Sequence, residues 1–388
     1  MRRTRIAAGL LAGVFWLGAL AAPYEPRDDS AVIERLPVRP GDPVMVELRQ
    51  LRAALAAAPS DPAAAARLAQ RYFELAVANG DPRYVGYAEA ALRRWQADDA
   101  PTEVLFMRGL LRQYRHDFGG ALKDLELALQ REPEHVAARS WRAAIFMVQA
   151  DYAAAARECA ALGEHASELL ATGCSAYVDA TTGKARGAYE RLAGALGRNP
   201  GASAEARLWT LTRLAEMAWR LGEATVAERH FRAALSLGVT DNFLLAAYAD
   251  FLLEQSRPNE VVALLNSWVR SDTLLLRLAI AERALKLPPA QQHVQALADR
   301  FAAAALRGER LHMGEEARFL LDLKGDPRAA LAVATENWKS QREPRDAAVL
   351  LEAALAARDA KAASPALRWL EQTGFESRKL RRLAAELK

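Results

Sequence analysis

This sequence has few cysteines, few histidines and few glycine-rich motifs. It contains two cysteines and six histidines in 388 residues. No two histidines stand at the H-x-x-x-H spacing, so a zinc site on one face of a helix is excluded. The segment TTGKARG around Lys184 contains Gly-Lys but lacks the preceding glycine of a phosphate-binding loop. G-x-S-x-G and S-x-x-K motifs are also absent. The sequence therefore predicts a non-catalytic protein without a metal or another cofactor.

Strand-forming patterns are nearly absent as well. Alternation of Val, Ile and Thr with polar residues is hard to find, and aromatic residues make up only 7% of the chain. Hydrophobic residues account for 52% and are mainly Ala and Leu, which are strong helix formers. The composition predicts an all-α fold.

An excess of charge of one sign is also missing. The chain has 52 basic and 48 acidic residues, a formal net charge of +4. Three of these charges come from Arg2, Arg3 and Arg5 at the extreme N-terminus, which leaves +1 for the rest. Proteins that bind nucleic acid usually present a basic stripe. We therefore expect no nucleic-acid partner.

The N-terminal segment has the features of an export signal. A basic start precedes an apolar run over residues 6–22, and Ala19-Leu20-Ala21 fits the small-residue rule for cleavage. We interpret residues 1–21 as a signal peptide and expect a mature, periplasmic protein that begins near Ala22. The alternative is an uncleaved inner-membrane anchor over residues 6–22, which would be the protein's only membrane contact. Five prolines make residues 22–43 a Pro-rich tether.

An internal repeat dominates the remainder of the sequence. Asp117 recurs as Asp151 and Ala121 recurs as Ala155, so both residues repeat at the same step. A fixed step of about 34 residues is typical of solenoids, in which each unit buries its apolar face against its neighbours. Similar small or branched apolar residues stand at positions 88, 188, 227 and 261, which predicts at least five helical pairs.

The spacing within each repeat resembles that of the tetratricopeptide repeat (TPR) family. Gly109 and Ala121 stand at the family's two small positions, and Leu125, Ala128 and Pro133 follow in the family's order. The stretch RLGEATVAERHFRAAL is the best match in the chain. The resemblance implies an exported bacterial TPR protein whose antiparallel helix pairs form a right-handed superhelix. It also implies a protein–protein interaction scaffold or adaptor of the bacterial envelope.

The repeat pattern divides the rest of the chain into three parts. We expect an irregular N-terminal helical repeat over residues 44–100 and the TPR array over residues 101–269. Residues 270–388 are interpreted as degenerate helical repeats that end in a C-terminal cap, because solenoids need a polar outer face at their ends.

The family resemblance also indicates candidate binding residues, because TPR proteins line a concave groove with the first helix of each repeat. The corresponding positions hold Phe106, Tyr177, Trp209, Glu216, Trp219, Phe243 and Asp250. Aromatic residues with a few carboxylates would suit a peptide or a helix from a protein partner in the envelope. Several of these aromatics could instead belong to the core. A further alternative is a glycan held for envelope polysaccharide or cell-wall machinery, with Trp209 and Trp219 as stacking platforms beside Glu216.

Arginines depart from the family pattern in the first helices. Arg108 and Arg142 stand where a large apolar residue is expected, and Arg139 replaces the usual Trp. Either these helices are rotated, or the arginine stems pack while their charged heads reach solvent. An alternative binding surface is the basic cluster of Arg108, Arg112, Arg115, Arg139 and Arg142.

Cys159 and Cys174 flank a predicted turn, one on each arm of a helical hairpin. Their midpoint falls at the turn, so both thiols could lie at the same height on antiparallel helices. Two cysteines in an exported chain favour a disulfide. The alternative is two small buried thiols that fill a helix contact.

Overall fold

A computed structural model describes residue 28, residues 41–309 and residues 312–387. The predicted signal peptide and nearly all of the predicted tether lie outside the described residues. The chain divides into two compact units, Met1–Glu47 and Leu48–Lys388.

Twenty α-helices account for the regular structure of the described residues, none of which forms a β-strand. They are α1 (Pro43–Ala57), α2 (Pro62–Asn79), α3 (Arg83–Leu92), α4 (Thr102–Tyr114), α5 (Phe118–Arg131), α6 (Val136–Val148), α7 (Tyr152–Leu162), α8 (Glu168–Thr181), α9 (Ala185–Arg198), α10 (Ala204–Leu221), α11 (Ala224–Leu235), α12 (Asn242–Glu254), α13 (Pro258–Leu265), α14 (Asp272–Ala284), α15 (Pro289–Leu306), α16 (Met313–Phe319), α17 (Pro327–Asn337), α18 (Pro344–Ala357), α19 (Ser364–Thr373) and α20 (Arg378–Glu386). A short π-helical segment, Leu320–Lys324, continues α16.

The repeat step reappears in the helix caps. The Asp117 carboxylate accepts a hydrogen bond from the Gly120 amide at the start of α5, and Asp151 accepts one from Ala154 at the start of α7. Such N-caps satisfy amide groups that have no partner inside the helix. The two aspartates that revealed the repeat therefore mark where the second helix of each pair begins.

The small residues of the second helices lie where consecutive helices meet. The residues at positions 88, 121, 155, 188, 227 and 261 are all fully buried. A small side chain lets the backbones approach closely, and the bulky Leu125 and Phe231, one helical turn after Ala121 and Ala227, fill the space beyond. The predicted all-α, TPR-like solenoid of helix pairs is confirmed.

Helical pairs continue beyond residue 269, where the sequence pattern loosens. Helices α14 and α15, α16 and α17, and α18 and α19 form further pairs, each with its own packed contacts. Ala330 and Ala363 are fully buried like the small residues of the earlier repeats. Helix α20 follows the last pair and buries Leu380 and Leu383.

Repeats that are far apart in sequence are in direct contact. The Arg342 amide donates a hydrogen bond to the Val148 carbonyl at 2.7 Å, and the Trp369 indole donates to the Tyr152 hydroxyl, also at 2.7 Å. The Ala185 amide donates to the Glu376 carboxylate at 2.5 Å. The C-terminal helices therefore pack against the middle of the array.

Candidate functional site

The first helices of six successive repeats surround a cavity of about 820 Å³. Helices α8, α10, α12, α14, α16 and α18 each contribute side chains, and α20 contributes to the same wall. We call this space the first-helix cavity.

Five of the seven predicted groove residues line this cavity: Tyr177, Glu216, Trp219, Phe243 and Asp250. The other two lie elsewhere. Phe106 is half-buried beside the ring of His135, with 4.8 Å between ring centroids. Trp209 is half-buried against Gly173, where an added Cβ would lie 2.5 Å from Trp209 Cζ3. Trp209 therefore needs a glycine in α8 in order to pack.

Arg213 organises the aromatic side of the cavity. Its guanidinium lies 4.6 Å from the ring centroid of Tyr177 and 4.4 Å from that of Phe243, and it forms an ion pair with Glu216 at 2.8 Å. Aromatic faces attract a guanidinium because their quadrupole is negative above the ring. Burial raises the pKa of Tyr177 to about 12, so this hydroxyl stays protonated. The Trp209 ring centroid lies 5.6 Å from the same guanidinium, so three predicted aromatics surround a cation that the sequence reasoning overlooked.

Asp250 anchors a second group of charges. It accepts from Arg277 at 2.7 Å and from Arg318 at 2.5 Å, and Arg318 also contacts Asp322 at 3.2 Å. Burial alone would raise the pKa of Asp250, but the two arginines lower it to about 2. These contacts join α12 to α14 and α16. Asp250 therefore serves to connect three first helices.

The C-terminal repeats supply cavity residues that the sequence reasoning did not identify. Glu315, Glu343, Arg345 and Asp346 all line the cavity. Burial raises the pKa of Asp346 to about 7, against the effect of the neighbouring Arg345. Its carboxylate accepts from Asn337 Nδ2 at 2.9 Å and from the Glu343 amide at 3.0 Å. No local pattern indicated these positions, because only the packing of distant repeats brings them to the cavity.

Trp219 packs against the core and also lines the cavity. Its indole nitrogen donates to Glu254 at 2.9 Å, and its ring packs edge-on against Phe251. The remainder of the ring is half-buried in the cavity wall. Neither Trp209 nor Trp219 is an open platform.

The predicted basic cluster is occupied by ion pairs within the chain. Arg108 is 5% exposed and pairs with the fully buried Asp124, which also contacts Arg112 at 2.7 Å. Of the two alternatives for these arginines, the one in which the charged head reaches solvent does not hold for Arg108, because a buried carboxylate from the second helix matches its charge. Arg142 repeats the arrangement with Glu158 at 2.8 Å.

The other two arginines of the cluster are paired as well. Arg139 donates to the Pro133 carbonyl at 2.9 Å and lies 3.5 Å from Glu158. Arg115 Nη2 donates to Glu89 at 2.7 Å. The sequence contains a signal for the buried pairs. The number of residues from Arg108 to Asp124 equals the number from Arg142 to Glu158. The second pair stands one repeat step after the first.

A disulfide joins Cys159 in α7 to Cys174 in α8, and their Cα atoms lie 5.4 Å apart. This separation is within the usual range for a bridge. The cross-link connects the second helix of one repeat to the first helix of the next. In the part of the chain that the structure describes, it is the one covalent contact between helices.

Two kinds of site are not found among the described residues. No group of three or more His, Cys, Asp or Glu side chains is placed to hold a metal ion. None of the described helices has the length and apolar character needed to cross a membrane.

Comparisons with known proteins return similar folds at low sequence identity. No family model matches the sequence, and no curated protein matches it significantly. A TPR protein from Parabacteroides merdae is 15% identical over 74% of this chain and 98% of its own, with a TM-score of 0.32. Yeast Tom70 is 13% identical over 89% of this chain and 84% of its own, with a TM-score of 0.41. The TPR domain of P58(IPK) is 15% identical over 89% of this chain and 92% of its own, with a TM-score of 0.23.

Proposed function

We propose that this protein is a non-catalytic scaffold that holds a polypeptide segment of a partner protein in the first-helix cavity. The observation that carries the proposal is that five predicted groove residues, drawn from α8, α10 and α12, line one cavity of about 820 Å³. Small-ligand pockets span about 300–1,000 Å³, so this space takes a short stretch of chain and excludes a folded domain.

The character of the wall supports a peptide ligand. Apolar faces alternate with charged groups that are already fixed by ion pairs, as in the Arg213–Glu216 and Asp250–Arg277 pairs. Fixed polar groups cost little ordering entropy when a ligand binds, and aromatic walls supply contact area. A peptide has both apolar side chains and backbone polar groups with which to use such a surface.

The glycan alternative is less well supported. It requires tryptophan faces that are open to a sugar ring. Trp209 packs on Gly173, and the Trp219 ring packs edge-on against Phe251, so each is half-buried. We therefore assign the cavity to a polypeptide.

We further propose that the protein acts in the bacterial envelope. The basic start and the apolar run over residues 6–22 suggest export, and the Cys159–Cys174 disulfide suits an oxidising compartment. N-terminal sequencing of the protein from its own cells should find a start near Ala22. An intact Met1 would instead support the anchor over residues 6–22.

Photo-crosslinking tests the proposed site of binding. p-Benzoyl-phenylalanine replaces Val349, which lines the cavity, or the exposed Arg229 on α11 as the matched control. Irradiation in cells should join a partner polypeptide to position 349 and not to position 229, and peptide mapping should locate a single segment of the partner. Equal crosslinking at both positions, or crosslinking at position 229 alone, would contradict the proposal.

A further inference from the structure

Four polar side chains form a continuous line of hydrogen bonds between the cavity and the turn that joins α4 to α5. The Asp346 carboxylate accepts from Asn337 Nδ2 at 2.9 Å, and Asn337 Oδ1 accepts from Gln341 Nε2 at 3.0 Å. The same Gln341 nitrogen lies 3.3 Å from His116 Nδ1. Asp346 and Gln341 line the cavity, whereas His116 lies in the α4–α5 turn. We call His116, Gln341, Asn337 and Asp346 the polar relay.

An ionised Asp346 sets the direction of these hydrogen bonds. Its oxygens accept from Asn337 and from the Glu343 amide, the latter at 3.0 Å. Asn337 then presents its carbonyl oxygen to Gln341, whose side-chain nitrogen can only donate. His116 Nδ1 must therefore accept, so the neutral imidazole carries its proton on Nε2. Asn337, Gln341 and Asp346 are at most 7% exposed, so water does not replace these partners.

Charged groups on α16 and α18 face the two titratable ends of the relay. They are His312 and Glu315 at the start of α16, and Glu343 and Arg345 at the start of α18. Burial dominates over these charges and raises the pKa of Asp346 to about 7. Burial also lowers the pKa of His116 to about 4, so this imidazole stays neutral while Asp346 titrates. Near neutral pH, Asp346 is therefore the member of the relay that changes its charge.

We propose that the polar relay is a pH-sensitive switch in which protonation of Asp346 reverses all three hydrogen bonds and moves the His116 proton from Nε2 to Nδ1. A proton on the Asp346 oxygen next to Glu343 would face a fixed backbone amide, whereas the side-chain amides of the relay can rotate. In the reversed state, the Asp346 hydroxyl donates to Asn337 Oδ1, and Asn337 Nδ2 donates to Gln341 Oε1. His116 Nδ1–H donates to the same Gln341 oxygen.

The switch leaves every member of the relay with a partner in both states. Asp346 gains one proton from solvent, while His116 releases its Nε2 proton and takes one up at Nδ1, so its charge is unchanged. Rotation of the Gln341 amide breaks no other hydrogen bond, since no described residue donates to its Oε1. Reversal therefore avoids the cost of a buried polar group without a partner. The charge of the cavity wall and the tautomer of His116 change together.

Nitrogen-15 NMR of the full chain, labelled at the histidine imidazoles, tests the switch, because the chemical shift of each ring nitrogen shows whether it bears a proton. The fraction of His116 protonated at Nδ1 should rise from about one-tenth at pH 8 to about nine-tenths at pH 6, as one group with a pKa of about 7 requires. His230, which bonds to the Tyr189 hydroxyl at 2.9 Å, is the internal control and should not change its tautomer. The His116 resonances are assigned by their absence in His116→Gln.

Asp346→Asn should hold the relay in the reversed direction at every pH. Its amide oxygen accepts from the Glu343 amide, so its NH2 group donates to Asn337 as the protonated acid does. The fraction of His116 protonated at Nδ1 should then be about nine-tenths at pH 8 as well. Asp322→Asn is the matched control, because Asp322 is also a cavity carboxylate but contacts Arg318, and it should leave the His116 transition intact.

Four results would overturn the inference. They are a His116 tautomer that is the same at pH 6 and pH 8, a His116 tautomer that still follows pH in Asp346→Asn, loss of the transition in Asp322→Asn, and a change of His230 in step with His116. A purely structural role of Asp346 would alter stability without moving the tautomer. The first result needs no substitution, so the titration of the parent protein decides the matter if Asp346→Asn fails to fold.

Discussion

Arginines in two regions of this molecule differ in whether a carboxylate pairs with them. Arg108 and Arg142, on the first helices α4 and α6, are matched by carboxylates that the second helices supply. Arg220, on the first helix α10, lines the cavity and has no such match among the described residues. The one carboxylate of the second helix α11, Glu228, pairs with Arg257 instead. The same residue type therefore forms buried ion pairs in one region and lines a cavity without such a pair in the other.

The difference shows how charge can be interpreted in a helical repeat. A buried arginine whose carboxylate recurs at the repeat step belongs to the repeat itself. One that no carboxylate contacts contributes less to stability, because its burial is not offset by an ion pair.

The largest effect should follow from removing the carboxylate that matches two arginines. Asp124→Ala leaves Arg108 buried without a counter-charge and is expected to destabilise the protein by about 3–5 kcal/mol. Urea unfolding followed by circular dichroism measures this free energy. Glu89→Ala, which removes an exposed partner of Arg115, is the control and should cost less than about 1 kcal/mol. Similar losses in the two variants would show that the buried pair stabilises the protein no more than an exposed pair does.

The disulfide should have the next largest effect, because it cross-links neighbouring repeats of the array. Intact mass with and without reductant should differ by two hydrogens and reveal one bridge. Cys174→Ala should lower the free energy of unfolding by about 3 kcal/mol, as the chain-entropy model gives for a loop of this length. Two thiols that alkylate in the native exported protein would show that the bridge does not form.

The pH dependence of stability should separate a carboxylate that is paired with arginines, Asp250, from one that accepts only neutral hydrogen bonds, Asp346. The pKa of Asp250 is lowered to about 2 from its ordinary value of 3.8. Its stabilisation is therefore complete above about pH 4 and is lost as the pH falls towards 2, by about 2 kcal/mol. The pKa of Asp346 is raised to about 7, so its contribution is complete below about pH 4 and declines as the pH rises to 7.

Urea unfolding of the parent, Asp250→Asn and Asp346→Asn at several pH values checks both signs. Asp250→Asn should reduce the loss of stability at acid pH by the share of Asp250, about 2 kcal/mol. Asp346→Asn should become more stable relative to the parent as the pH rises from about 4 to 7. Parallel curves for Asp346→Asn and the parent over that interval would contradict the second expectation.

The smallest change in stability is expected at Arg220. Arg220→Gln gives up a contact with the Phe375 ring but also removes a buried charge without a partner. The two effects oppose each other, and we expect a net change within about 1 kcal/mol. A loss as large as that of Asp124→Ala would place Arg220 with the matched arginines.

Much of the fold could be predicted because the repeat is local. The small residues that define the repeat step are fully buried, as the sequence pattern predicts. Asp117 and Asp151 mark helix starts by cap chemistry, which depends only on neighbouring residues.

The site was harder to predict because it depends on contacts between distant repeats. Trp219 and Asp250 could be placed on first helices from the family pattern, and both line the cavity. Arg345 and Asp346 could not, since the pattern loosens beyond residue 270 and their place follows from how the C-terminal repeats pack back on the array. Trp209 was predicted to lie on the same helix face but packs on Gly173 instead of lining the cavity. Periodicity alone does not reveal this close contact.

The contacts between distant repeats also restrict how this protein can evolve. Helical repeat arrays commonly gain or lose whole units, because each unit touches only its neighbours. Here Trp369 must meet Tyr152, and Arg342 must meet Val148, with more than five repeat lengths of chain between them. Deleting or duplicating one unit between these positions would misalign every such pair and dismantle the cavity wall. Keeping this cavity therefore requires a fixed number of repeats as well as particular contact residues.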